Sequence, residues 1–147
     1  MAERTHDRLV HLIRHPGIRS LSLYDAVSLV DRGDFVPPGI SSREIYEDAP
    51  VHIGEGQTTS QPSLVAQMID ALELAPESSV LEVGTGFGYQ TALLASVCAR
   101  VVSIERSRAL SQQAATNLAV AGFENVRVIT ADGMKGVPDE APFDGIV

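Results

Sequence analysis

Cysteine occurs once in the 147 residues, at Cys98, and tryptophan does not occur at all. A single thiol excludes an internal disulfide framework and a paired-cysteine metal site. Its setting in ALLASVCA reads as the apolar side of a helix, which makes it a core residue. Basic residues are also scarce: eleven Lys and Arg against nineteen Asp and Glu give a formal net charge of −8. Binding to phosphate backbones needs a concentrated cationic face, so the scattered basic residues argue against a nucleic-acid partner and toward proteins, peptides or small molecules. There is no apolar run of membrane-spanning length, and the opening MAERTHDRLVHLIRHPG carries charge throughout. The expectation is a cytoplasmic protein with no membrane partner. Repeats and low-complexity tracts are lacking as well, and 44% hydrophobic with 20% charged residues suits one globular domain with a real core.

What is present is a change of pattern along the chain. From Glu3 to Arg14, Leu9, Val10, Leu12 and Ile13 sit among charges, and His15-Pro16-Gly17 stops the predicted helix. A second helix is expected from about Ser22 through Val30, ended by Gly33 and the Val36-Pro37-Pro38-Gly39 break. After Pro62, Leu64, Val65, Met68, Ile69 and Leu72 recur at helical spacing. Three apolar runs follow, at Val80–Val83, Val101–Ile104 and Val126–Ile129, separated by helical stretches from Gln90 to Ala99 and from Ala109 to Ala121. Strands alternating with helices predict a parallel α/β sheet with helical crossovers. Gly122 is a natural helix stop, and Phe143-Asp144-Gly145-Ile146-Val147 opens a fourth strand. The expected division is 1–60, a helical extension with a polar loop, and 61–147, a Rossmann-like domain.

The most informative motif is Val80-Leu81-Glu82-Val83-Gly84-Thr85-Gly86-Phe87-Gly88-Tyr89, a strand entering a glycine turn and then a helix. Glycine lets the backbone bend tightly and approach a ligand. The dinucleotide fingerprint G-x-G-x-x-G needs a glycine where this chain has Tyr89, which argues against NAD. Glu105 stands at the end of the second strand, about twenty residues further on, where a carboxylate can accept ribose hydroxyls. Asp132-Gly133 ends the third strand with another acid, suited to an adenine amino group. Gly84, Thr85, Gly86, Gly88, Glu105, Asp132 and Gly133 thus outline a site for a nucleoside-bearing ligand without a pyrophosphate.

Ahead of these lies GEGQTTSQPSLVAQM, with three adjacent hydroxyls at Thr58, Thr59 and Ser60. One reading is helix capping by Ser60 or a neighbour; the other is a functional loop facing the ligand. His52 precedes the loop, in a lining or a structural role. Tyr89 and Gln90 follow the glycines, either touching a ligand or packing. His11 and His15 share a predicted helical face, but no third ligand accompanies them and no metal site is expected.

On IGEGQTTSQP, VLEVGTGFGYQTALLA, VVSIER, Asp132-Gly133 and APFDGIV, the chain from about Leu21 to Val147 resembles the protein-L-isoaspartate (D-aspartate) O-methyltransferases. The resemblance implies a Rossmann-like S-adenosylmethionine-dependent methyltransferase fold, with S-adenosyl-L-methionine as cofactor and S-adenosyl-L-homocysteine as product. It implies isoaspartyl-containing proteins or peptides as substrates, in a protein-repair reaction. It makes Ser60 the active-site residue, with Thr58 beside the cofactor. The family continues beyond APFD with further strands, so the C-terminal strands are expected to be missing here. Two readings follow: a fragment of a longer enzyme, or a short homologue that binds cofactor without family activity and covers its last strand by self-association. A carboxyl methyltransferase with another peptide or small-acid substrate is the remaining alternative.

Overall fold

A computed structural model describes residues 5–14 and 17–147. Glu3, His15 and Pro16, which frame the first predicted helix, lie outside the described residues. Helix α1 (Thr5–Arg14) buries Leu9 and Ile13, one turn apart, and helix α2 (Leu21–Leu29) buries Leu23, Ala26 and Val27. Ser20 starts α2 by accepting a hydrogen bond from the Leu23 amide.

The region expected to be irregular after Val30 carries local order. A 3-10 turn occupies Arg32–Phe35, helix α3 covers Ser42–Tyr46, and strands β1 (His52–Gly54) and β2 (Gln57–Thr58) pair as an antiparallel hairpin. Helix α3 owes its start to a reciprocal cap in which Ser41 accepts from the Glu44 amide and Glu44 accepts from the Ser41 amide. In the hairpin, Gly54, Glu55 and Gly56 all take positive φ. These signals are short and sit within one turn each, which is why periodicity over a longer window misses them.

Beyond helix α4 (Pro62–Ala71) the α/β alternation appears as expected: β3 (Ser79–Val83), α5 (Tyr89–Val97), β4 (Arg100–Glu105), α6 (Arg108–Val120), β5 (Val126–Thr130) and β6 (Gly145–Ile146). The four strands form a parallel sheet in the order β5-β4-β3-β6. Helix α6 ends where Gly122, at φ +85°, lets its own amide reach Ala119 and the Phe123 amide reach Leu118.

Strand alternation sorts the sheet into two faces. Val80 and Val101 join the main core with Leu93, Leu94, Leu118 and Val65; Leu9, Leu23, Val27 and Phe35 from the first forty residues lie in the same cluster. Leu81, Val102 and Ile104 face the other way, against Ile129, Val137 and Phe143. Glu82 and Ser103 fall on the main-core face, paired in register across β3 and β4. Cys98 is buried, as its apolar setting predicts.

Candidate functional site

The glycine loop follows β3 and is shaped by backbone that only glycine adopts freely. Gly84, Gly86 and Gly88 have φ of +103°, +57° and +100°. The Gly84 amide donates to the Ile104 carbonyl at 2.8 Å, pinning the loop to the next strand. Asn117, on α6, donates to the Phe87 carbonyl at 3.0 Å and holds the other side. A β-carbon on Gly88 would stand 3.2 Å from Leu118 and 3.4 Å from Phe35, so the loop lies close against its support.

Glu105 is buried at the end of β4, where its two carboxylate oxygens accept from the Gly86 amide at 3.0 Å and the Ser107 amide at 2.9 Å. The acid that the sequence places near a ligand therefore also ties the glycine loop to the strand end. Asp132 accepts from the Met134 amide at 3.0 Å through Oδ1, leaving its second oxygen without a partner among the described residues. Gly133 packs so close to β3 that a β-carbon there would meet Val83 Cγ1 at 2.4 Å. Val83, Gly84, Glu105, Asp132, Gly133 and Met134 surround an open cavity of about 460 Å³, together with Gln57, Ile104 and Arg106.

The hydroxyl loop faces the opposite flank of the glycines. Thr58, the last residue of β2, and Ser60 are exposed, and Thr59 between them is half-buried. The Thr59 hydroxyl accepts from Arg32 Nη2 at 3.0 Å and from the Val51 amide at 3.1 Å, while its own amide donates to the Val51 carbonyl at 2.8 Å. Among the described residues, the Thr58 and Ser60 hydroxyls have no hydrogen-bond partner. The capping reading of Ser60 fails, because the N-cap of α4 is Gln61, which makes no side-chain cap. The Ser63 amide is met instead by Asp48 Oδ1 at 2.8 Å.

Thr58, Thr59 and Ser60 share a smaller cavity, about 90 Å³, with residues 84–90 of the glycine loop and helix start. Gly84 lines both cavities, which lie on either side of it. All nine sequence-selected residues converge here except that Thr85 turns partly inward. Tyr89 is buried and packs on Phe35, with ring centroids 6.3 Å apart; Gln90 lines the small cavity. His52 is exposed on β1 and lines neither cavity. His11 lies on α1 and His15 outside the described residues; among those described, no cluster of three or more His, Cys, Asp or Glu is arranged for a metal.

Sequence reasoning missed two buried charges. Glu82 is fully buried, and its Oε2 accepts from Thr91 Oγ1 at 2.6 Å and Ser103 Oγ at 2.5 Å. Ser103 has one hydroxyl proton and gives it to Glu82, so Thr85 Oγ1, 2.6 Å away, donates to Ser103. A chain of hydroxyls thereby links the glycine loop to a carboxylate beneath it. Burial pushes the Glu82 carboxyl up to about 7, against the pull of the Ser103 and Thr91 hydrogen bonds. The available signal was Glu82 on the valine face of β3, opposite Ser103 on the same face of β4. Arg32, also fully buried, is the second missed charge.

A parallel sheet with a glycine turn after one strand, an acid at the end of the next, and cavities across their carboxyl ends defines a Rossmann-like α/β domain, the fold shared with solved methyltransferases. Residues 3–147 match the family model described as Protein-L-isoaspartate(D-aspartate) O-methyltransferase, and the chain belongs to that family. It is 48% identical over 135 residues to a protein-L-isoaspartate O-methyltransferase of Azorhizobium caulinodans, covering 92% of this chain and 62% of that protein. A protein of the same name from Methanoregula boonei is 48% identical over 141 residues, covering 95% and 64%. The chain thus spans less than two thirds of the length of these curated relatives. A solved protein-L-isoaspartate O-methyltransferase superposes with a TM-score of 0.87 at 32% identity, over 96% of this chain and 46% of that one. A Plasmodium falciparum protein-L-isoaspartate O-methyltransferase structure in complex with S-adenosyl-L-homocysteine gives 0.77 at 25% identity, over 98% and 72%.

Proposed function

We propose that this chain carries the methyl-transfer site of a protein-repair enzyme, acting from S-adenosyl-L-methionine onto the free carboxylate of L-isoaspartyl or D-aspartyl residues in damaged proteins. One observation carries the reading: the Thr58 and Ser60 hydroxyls, without a partner among the described residues, share a cavity with the glycine loop, and Gly84 of that loop also lines the acidic cavity. The labour divides along the chain, with residues 1–60 supplying the acceptor loop and residues 61–147 the cofactor pocket.

The residues fit the cofactor. At Gly84 no atom lies within 4 Å of a β-carbon position, so the backbone is open to a ligand. Each Glu105 oxygen takes one backbone N–H and keeps a lone pair for a ribose hydroxyl. Asp132 Oδ2 is available to an adenine amino group, and Val83 and Met134 offer apolar surface to the base. Gly84, Thr85, Gly86, Gly88 and Gly133 shape the pocket wall. When bound, S-adenosyl-L-methionine supplies an electrophilic methyl on a sulfonium.

Acceptor activation then asks little of the protein. A carboxylate is ionised at neutral pH, so no general base has to remove a proton. Alignment is the remaining task. Ser60 and Thr58 donate hydrogen bonds that orient the carboxylate without adding a competing negative charge, and a neutral hydroxyl does not titrate with the acceptor. Ser60 is the principal contact and Thr58 its neighbour on the cofactor side.

No helix among the described residues is long and apolar enough to cross a membrane. A cytoplasmic setting agrees with the free thiol at Cys98. The second reading is a cofactor-binding module without family activity that associates with itself. Transfer of labelled methyl to an isoaspartyl peptide and not to its aspartyl twin is the outcome the repair reading predicts. Binding of S-adenosyl-L-homocysteine without transfer, in a chain that sediments as a dimer, would replace it with the second reading.

A further inference from the structure

Arg32 is 0% exposed and ranks among the largest fully buried side chains, yet it forms no ion pair with a described carboxylate. Desolvating a guanidinium is costly, and a hydrophobic residue of similar volume is often as stabilising or more so. Burial lowers the tendency of Arg32 to hold its proton, although the fields of Tyr89 and Asp48 favour the charge. What the arginine does is gather four acceptors. Nη1 donates to the carbonyls of Ile45 at 2.8 Å and Glu47 at 3.0 Å; Nη2 donates to the Ala49 carbonyl at 2.8 Å and to Thr59 Oγ1 at 3.0 Å. Three of these come from the end of α3 and the chain after it. The fourth is the middle residue of the hydroxyl loop.

That fourth bond anchors the loop. With the Thr59 hydroxyl tied to Arg32 and to the Val51 amide, the backbone is fixed where its neighbours Thr58 and Ser60 line the small cavity. Arg32 Nε and the Tyr89 hydroxyl remain buried with no hydrogen-bond partner among the described residues, so the guanidinium is held through its two Nη atoms alone.

We propose that Arg32 is the positioning residue of the acceptor loop: it anchors the Thr59 hydroxyl and so fixes the backbone from which Ser60 and Thr58 present theirs. The claim rests on the methyl-transfer reading for its catalytic meaning, but the loop lock is a property of the folded chain alone.

Thr59→Val removes the acceptor while keeping the shape, Thr59→Ser restores it, and Arg32→Lys keeps charge but loses the planar fork. Amide exchange of Val51 and Thr59 reads the lock without any ligand. Exchange should accelerate about tenfold or more in Thr59→Val and return toward the parent rate in Thr59→Ser, the size expected for losing a hydrogen bond to a charged donor. With peptide present, Thr59→Val and Arg32→Lys should raise the isoaspartyl-peptide KM about tenfold while the dissociation constant for S-adenosyl-L-homocysteine stays within about twofold. Unchanged exchange at Val51 and Thr59 in Thr59→Val would overturn the proposal, as would a loss of cofactor affinity equal to the loss in peptide KM. Should the parent chain transfer no methyl, the repair reading fails separately, and the exchange result by itself decides for or against the lock.

Discussion

Ser103 donates to Glu82 at 2.5 Å on the main-core face of the sheet, and the burial of that carboxyl sets a pH dependence on the fold. The Glu82 carboxyl, ordinarily 4.5, is raised to about 7 because burial penalises its charge. The folded state therefore holds a proton that the unfolded chain releases at lower pH. Stability from this group is complete below the ordinary carboxylate range and falls as pH rises through about 7. At about 1.4 kcal/mol per unit the loss amounts to roughly 3 kcal/mol. Urea unfolding from pH 5 to pH 8 should show parent stability falling relative to Glu82→Gln, which carries no titrating proton. Parallel profiles for the two proteins would refute the assignment.

Gly133 has no room for a side chain. A β-carbon there would lie 2.4 Å from Val83 Cγ1, an atom on a short, stiff side chain that cannot swing away. Gly133→Ala should push β3 and the Asp132 turn apart and weaken S-adenosyl-L-homocysteine binding about tenfold, as expected for overpacking by 1–2 kcal/mol. Adding Val83→Ala should recover most of the loss. Calorimetry on the four proteins of this cycle checks it; two independent, additive losses would show that the contact is not the cause.

The helix start at Pro62 is capped from a distance. Asp48 meets the Ser63 amide at 2.8 Å, while Ser60 makes no cap. Asp48→Ala should cost about 1 kcal/mol of stability and Ser60→Ala almost none. Denaturant midpoints distinguish the two, and a larger loss from Ser60→Ala would return that serine to a structural role.

The parallel sheet was legible because each strand is a run of valines and isoleucines bounded by a helical period, a signal carried by many residues at once. The convergence of Gly84, Gly86, Glu105 and Asp132 was legible for a different reason: all four fall at strand ends, where topology alone brings them together. Helix α3 and the β1–β2 hairpin were not, since five and three residues carry no usable period. Asp48 capping Ser63 and Arg32 reaching Thr59 were beyond any local pattern, being contacts across 15 and 27 residues that depend on how the chain turns back. Glu82 lay in between. Its place on the valine face was readable, but its complete burial and its hydroxyl partners required the register with β4.

The account separates an acceptor loop around Ser60 from a donor pocket around Gly84 and Glu105, and one paired measurement tests that separation most directly. Methyl transfer to an isoaspartyl peptide and the dissociation constant for S-adenosyl-L-homocysteine are determined on the same preparations of the parent chain and Ser60→Ala. The account predicts transfer to the isoaspartyl peptide by the parent, a fall of about a hundredfold in Ser60→Ala, and an unchanged dissociation constant. Transfer at the parent rate in Ser60→Ala, or cofactor binding lost along with transfer, would contradict it.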